Sequence, residues 1–191
     1  MSNYMGIRVK TKTMSKEEKY KALLPQAKAL CEGETDMIAQ MANLAALLHH
    51  EFGFWWTGFY RVKRSEVGGL RPDVPDAEAT SDLQPPTSDL ILGPFQGPLA
   101  CMHIGYGKGV CGTAWKERRT VVVPDVEEFP GHIACSSESR SEIVVPIFEK
   151  AEVGGQRSEV IAVLDIDSRE LATFDDTDRR YLEQLVSYIN Q

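Results

Sequence analysis

Residues 159–168, EVIAVLDIDS, set how the rest of the chain is read. The apolar run from Val160 to Ile166 has the composition of a buried strand over Glu159–Ile166. It ends on two acids, Asp165 and Asp167, with Ile166 between them. Strand alternation places both carboxylates on one face and Ile166 on the other. Two carboxylates side by side at the end of an apolar strand repel each other, so one holds a proton or faces a cationic ligand. The plainer alternative is a pair of water-exposed acids at a strand end. Upstream lies a matching strand, Ile143–Phe148, joined through a turn around Gly154 and Gly155. Glu142 closes the loop 124–142 (PDVEEFPGHIACSSESRSE), which is rich in turn-forming residues. Downstream, Asp175 or Asp176 opens a helix whose buried stripe is Tyr181, Leu182, Leu185, Val186 and Ile189.

Further toward the N-terminus come a short strand Val121–Val123, a short helix Val110–Glu117, and strands Leu99–Ile104 and Leu90–Leu92. Residues 54–62 (FWWTGFYRV) form an aromatic-rich, largely buried strand. Residues 64–89 carry four prolines, two glycines, six acids, two arginines and no aromatic residue, which predicts a flexible insert. Excising it brings Tyr60–Lys63 beside Leu90–Leu92 as a hairpin. Two helices precede the strands. Ser15 and Glu18 spell a capping box that opens the first, in which Pro25 predicts a kink or restart. The second runs from Thr35 to Glu51 and buries Ile38, Met41, Leu44, Ala45 and Leu48. This order is not the strand–helix alternation of a doubly wound fold. It predicts an α+β domain, with one mostly antiparallel sheet, helices on one face and loops on the other.

Composition excludes several functions. The 191 residues are 42% hydrophobic and 26% charged, with a net charge of −7 and no basic run. That balance is ordinary for a globular protein and argues against nucleic-acid binding. No apolar stretch reaches the roughly 18–20 residues that cross a bilayer, and the N-terminus has no apolar signal-like segment. Four cysteines are too few for a disulfide scaffold. We therefore expect a cytoplasmic, reducing setting in which cysteines act rather than staple. Residues 1–15 read as a tail and 16–191 as a single domain.

The motifs divide into strong and weak. Residues 107–112 spell GxGxxG, but a single such unit without a returning parallel strand is better read as a tight turn feeding a helix. Cys111 then falls in the first helical turn, where the dipole lowers a thiol pKa. Cys31 reads as structural. Cys135 lies in a loop without core periodicity and is a candidate nucleophile. Cys101, Cys111, Cys135, His103 and His132 contain enough donors for zinc, yet their spacing matches no compact zinc module. Trp56 and Tyr60 share a strand face. They are either core or a wall suited to a thioether, a sulfoxide methyl or a cation.

Together, LGPFQGPLAC (92–101), GKGVCGTAW (107–115), PDVEEFPGHIACSSESRSEIVVP (124–146) and VLDIDS (163–168) resemble the free methionine-(R)-sulfoxide reductases, a family of GAF-domain enzymes. The resemblance covers about residues 16–190, interrupted by 64–89 and 150–158. It implies a GAF fold, a central antiparallel sheet with helices on one face and a ligand pocket under loops on the other. It implies thiol-dependent reduction of free methionine sulfoxide through a cysteine sulfenic acid and a disulfide, with no bound cofactor or metal and with thioredoxin as external reductant. In that scheme Cys135 is the nucleophile and Cys101 the resolving thiol. Cys111 is an alternative resolver or, in a rival assignment, the nucleophile. Glu142 and Asp167 act at the sulfoxide oxygen, Asp165 and Asp125 balance the substrate ammonium, and Trp56, Tyr60, Ile133 and Ala134 line the substrate. The resemblance also implies a homodimer. A non-catalytic, small-molecule-sensing GAF module is the alternative function.

Overall fold

The computed structural model describes residues 14–63, 89–132, 137–149 and 159–189. Most of the N-terminal tail, the insert to residue 88, the turn at Gly154 and Gly155, and Ile133, Ala134 and Cys135 lie outside the described residues. Helices α1 (Lys16–Cys31) and α2 (Met37–Phe52) lead into strands β1 (Trp56–Lys63), β2 (Asp89–Gln96) and β3 (His103–Gly105). Helix α3 (Gly109–Glu117) and strands β4 (Val121–Val123), β5 (Ser141–Phe148) and β6 (Val160–Ser168) follow, and α4 (Asp176–Val186) closes the chain. The strands form one antiparallel sheet in the order β3-β2-β1-β6-β5-β4. The expected hairpin is present, with Tyr60 opposite Leu92 and Lys63 opposite Asp89. Asp89 therefore belongs to β2 and not to the insert.

The sheet separates two apolar layers. On one face, Tyr20 and Leu23 of α1, Met41, Leu44 and Leu48 of α2, and Leu182 and Leu185 of α4 bury against Phe59, Ile143, Leu164 and Ile166. On the other, Val110, Cys111 and Ala114 of α3 pack with Trp56, Tyr60, Leu90, Val144 and Val163. Helices therefore cover both faces: α3 sits on the pocket side, where only loops were expected. Its close seating depends on Gly112, since a Cβ there would lie 2.4 Å from the Gly105 carbonyl oxygen. The glycines of GxGxxG thus serve a turn and a close helix–strand contact.

The ends of the helices follow the local chemistry. The capping box forms, with the Ser15 N–H donating to Glu18 at 2.8 Å and the Glu18 N–H to Ser15 Oγ at 3.2 Å. Helix α1 passes through Pro25 as one element and does not restart; Tyr20, Leu23 and Ala27, buried on both sides of Pro25, hold it against the core. It is tied to α4 by Lys16, which donates to Asp178 at 2.6 Å and to Asp175 at 3.0 Å, and by Tyr20, whose hydroxyl donates to Asp178 at 2.9 Å. In α2, Ile38 is exposed and Gln40 is buried in its place. The Gln40 amide donates to the carbonyls of Cys31 and Glu34, satisfying backbone at the end of α1.

Several strand limits differ from the sequence reading, and those of β3, β5 and β6 bear on the site. Of the expected Leu99–Ile104 strand only His103 and Ile104 pair with β2, in a strand that runs on to Gly105, because the segment before them crosses the pocket face as a loop. Strand β5 begins at Ser141 and β6 continues to Ser168, which places Glu142 and Asp167 inside paired strands and opposite each other.

Candidate functional site

Three central strands supply the site. Along one row Trp56 of β1 faces Asp167 of β6, which faces Glu142 of β5; in the next row Gly58 faces Asp165, which faces Val144. Period-two alternation turns Asp165 and Asp167 away from the helix-covered core that receives Ile166. Helix α3 lays Cys111 over this patch. The result is a pocket of about 550 Å³, counting the solvent at its mouth, lined by Trp56, Tyr60, Cys111, Glu142, Asp165 and Asp167 among others.

The aromatic wall is built on a missing side chain. A Cβ on Gly58 would lie 2.4 Å from the Trp56 ring and 2.5 Å from Phe95 Cβ. Glycine therefore lets the indole fold along the strand, where it stacks on Tyr60 at 5.9 Å and on Phe95 at 5.5 Å between centroids. The polar tips of both rings hold the β2–β3 loop. Trp56 Nε1 donates to the Pro98 carbonyl at 3.1 Å and the Tyr60 hydroxyl to the Cys101 carbonyl at 3.0 Å. Cys101, half-buried on that loop, is disulfide-bonded, whereas Cys31 and Cys111 are free thiols.

Electrostatics distinguish this pocket from a packing defect. Glu142 and Asp165 are only 6% and 7% exposed, so these acids are not water-facing strand ends. Burial, then the charges of Asp165 and Asp167, push the Glu142 carboxyl well above the carboxylate range. Burial and the charge of Asp167 do the same to Asp165, against hydrogen bonds from Cys111 and Glu142. Burial raises Asp167 to about 6, against a hydrogen bond from Ser139. At neutral pH the cluster therefore retains protons it can donate.

Cys111 reverses its expectation. It does lie in the first turn of α3, but burial, then the charges of Asp165 and Glu142, push its thiol well up. Desolvation and two nearby acids outweigh the dipole of a nine-residue helix. Its sulfur and one oxygen each from Glu142 and Asp165 lie within 4.8 Å of one another, the one cluster of metal-ligating type among the described residues.

The structure thus brings together Trp56, Tyr60, Cys111, Glu142, Asp165 and Asp167, with Cys101 on the loop that Tyr60 holds. Asp125 is elsewhere: it caps the 3-10 turn Val126–Glu128 by accepting from the Glu127 N–H and does not line the pocket. Trp55, Ser139, Leu99 and His132 line the pocket without having been singled out for it. Trp55 is the instructive case. Alternation sends it opposite Trp56, but it precedes β1, its N–H donates to the Asp167 carbonyl, and Arg169 stacks 3.4 Å over its ring. No helix among the described residues is long and apolar enough to cross a membrane.

Comparison with known proteins accords with this geometry. Residues 32–191 match the GAF domain family. GAF domain-containing protein A of Dictyostelium discoideum is 45% identical over 92% of this chain and 93% of its own. The free methionine-R-sulfoxide reductase of Saccharomyces cerevisiae is 36% identical over 93% of this chain and 87% of its own. Among solved structures, the free methionine-R-sulfoxide reductase of Neisseria meningitidis in complex with its substrate superposes with a TM-score of 0.73. It is 43% identical, over 93% of this chain and 90% of its own.

Proposed function

This chain belongs to the GAF domain family and, within it, to the free methionine-R-sulfoxide reductases, and from that premise we propose that it reduces free L-methionine-(R)-sulfoxide to L-methionine. The observation that carries the reading is the set of buried, proton-retaining carboxyls beside an aromatic wall, under a loop whose cysteine is in a disulfide. A sulfoxide oxygen is a strong acceptor that must gain protons during reduction. Neutral Glu142 is a donor suited to it, and Asp167, held at about 6, exchanges a proton beside it. Asp165 supplies a carboxyl oxygen that accepts from the substrate ammonium, and Trp56 and Tyr60 supply the apolar face for its methyl and methylene groups.

The chemistry proposed uses two thiols. The Cys135 thiolate attacks the sulfoxide sulfur, and the oxygen passes to Cys135 as a sulfenic acid while methionine leaves. The Cys101 thiol then attacks the sulfenic sulfur and expels the oxygen as water, leaving a disulfide. The sum is methionine sulfoxide plus two thiols giving methionine, one disulfide and water. A dithiol of the thioredoxin type returns two electrons and two protons. Cys111, whose buried thiol ionises poorly, forms part of the pocket floor in this scheme and is the weaker candidate nucleophile. A pocket of this size suits a single free amino acid, which accords with a free substrate. The cytoplasm and a homodimer complete the reading.

A single-turnover assay tests it. Reduced protein mixed with free L-methionine-R-sulfoxide, without added reductant, forms one methionine per chain. C135S forms none. C101S forms it once but does not turn over with thioredoxin and its reductase. Absence of methionine from the R epimer refutes the reading, and loss of the first turnover in C111S but not in C135S refutes the choice of nucleophile.

A further inference from the structure

The floor of the pocket has a second capacity, carried by groups that also serve the sulfoxide and the ammonium. Cys111, Glu142 and Asp165 come from three different elements, α3, β5 and β6, and converge with their ligating atoms within 4.8 Å of one another. Asp165 accepts hydrogen bonds from Cys111 and Glu142, but its Oδ1 is buried with no hydrogen-bond partner. An unpartnered carboxylate oxygen in a dry setting is costly and marks a place for a positive ligand. The described lining residues include neither lysine nor arginine to fill it, and burial disfavours the charged form of the one histidine, His132.

We propose that Cys111, Glu142 and Asp165 form a binding site for a divalent cation of zinc type, with a fourth coordination position open to the pocket. The donor set selects among cations. Magnesium and calcium take oxygen ligands in sixes or more and avoid sulfur, while copper(I) prefers several soft donors. Zinc accepts one thiolate and two carboxylates in a four-coordinate site, and three protein ligands with one open position is a recurring zinc arrangement. Zinc–sulfur and zinc–oxygen bonds of about 2.3 and 2.1 Å place tetrahedral ligands roughly 3.5 Å apart. From separations of up to 4.8 Å, the side chains close by about 1 Å when the cation binds. The thiol proton leaves to solvent as the metal binds. This inference does not depend on sulfoxide turnover, since metal binding is measured on the protein alone.

The experiment uses protein with the Cys101 disulfide intact, in which Cys31 and Cys111 are free thiols among the described residues. Zinc chloride is titrated by calorimetry and cobalt(II) by near-ultraviolet absorption, where a thiolate–cobalt band reports sulfur ligation. We expect one zinc per chain and a thiolate–cobalt band, both retained in C31S. C111S loses the band and weakens zinc by more than the roughly 10- to 100-fold that loss of an outer-shell partner costs. D165N, which leaves the thiol in place, weakens zinc by a similar factor while keeping a band at high cobalt. Absence of zinc binding at millimolar concentration, a band that persists in C111S, or zinc affinity unchanged in D165N overturns the proposal.

Discussion

Replacing Asp167 by asparagine should stabilise the protein at neutral pH and leave it unchanged in acid. Burial holds the Asp167 carboxyl at about 6, against an ordinary 3.8. At about 1.4 kcal/mol per pH unit, its ionisation costs the folded state about 3 kcal/mol relative to the unfolded chain. Below pH 4 the group is protonated in both states and the cost is absent. Between about pH 4 and 6 the unfolded chain has lost the proton and the folded one has not. The folded state then binds more protons, and stability falls as pH rises. Above about pH 6 both are ionised and the full penalty persists. Asparagine keeps a side-chain oxygen for Ser139 and removes the charge beside Glu142 and Asp165. Urea unfolding of both proteins from pH 4 to 8 measures the difference. It should be near zero at pH 4 and reach about 3 kcal/mol in favour of the variant at pH 7, while reductase turnover falls. A difference that does not vary with pH, or one that favours the aspartate as pH rises, refutes the electrostatic account of the pocket.

Further substitutions probe the wall and the scaffold. G58A should cost about 1–3 kcal/mol and shift tryptophan fluorescence, because its Cβ would meet the Trp56 ring at 2.4 Å; unchanged unfolding and emission would contradict the packing described. Y60F removes the hydrogen bond to the Cys101 carbonyl and should cost about 1 kcal/mol in urea unfolding. It should also speed reduction of the Cys101 disulfide by dithiothreitol, and an unchanged rate would show that the hydroxyl does not restrain the loop. D178A leaves Tyr20 and Lys16 without their shared partner and should cost about 3–5 kcal/mol by the same assay.

Local chemistry was readable where a single residue type had a single use. Ser15 with Glu18 announced the start of α1, Asp175 the start of α4, and alternation in VLDID placed two acids opposite an apolar residue. The aromatic pair Trp56 and Tyr60 shared a face as expected, but their second task, holding the β2–β3 loop through Pro98 and Cys101, depends on a partner some forty positions away. Sequence spacing carries no trace of such a contact. Cys111 illustrates the same limit in energetic form. Its helical position was legible, yet the direction of its pKa was set by burial and by acids from β5 and β6 that only the folded sheet brings near. Asp125 shows the reverse: a carboxylate near the site in sequence, engaged in capping its own turn. Trp55 was hidden because alternation was applied one residue before the strand began.

The strand register also says where this protein tolerates change in length. Trp56, Asp167 and Glu142 lie at one margin of the sheet, whereas the chain departs after Lys63, resumes at Asp89, and crosses from Phe148 to Val160 at the opposite margin. Residues gained or lost in those two connections leave the reactive groups undisturbed. A single residue inserted within β6 would instead rotate both aspartates into the helical layer and Ile166 into the cavity. Evolutionary tinkering and engineered fusions alike therefore have two free ports on this scaffold, both on the side remote from its chemistry.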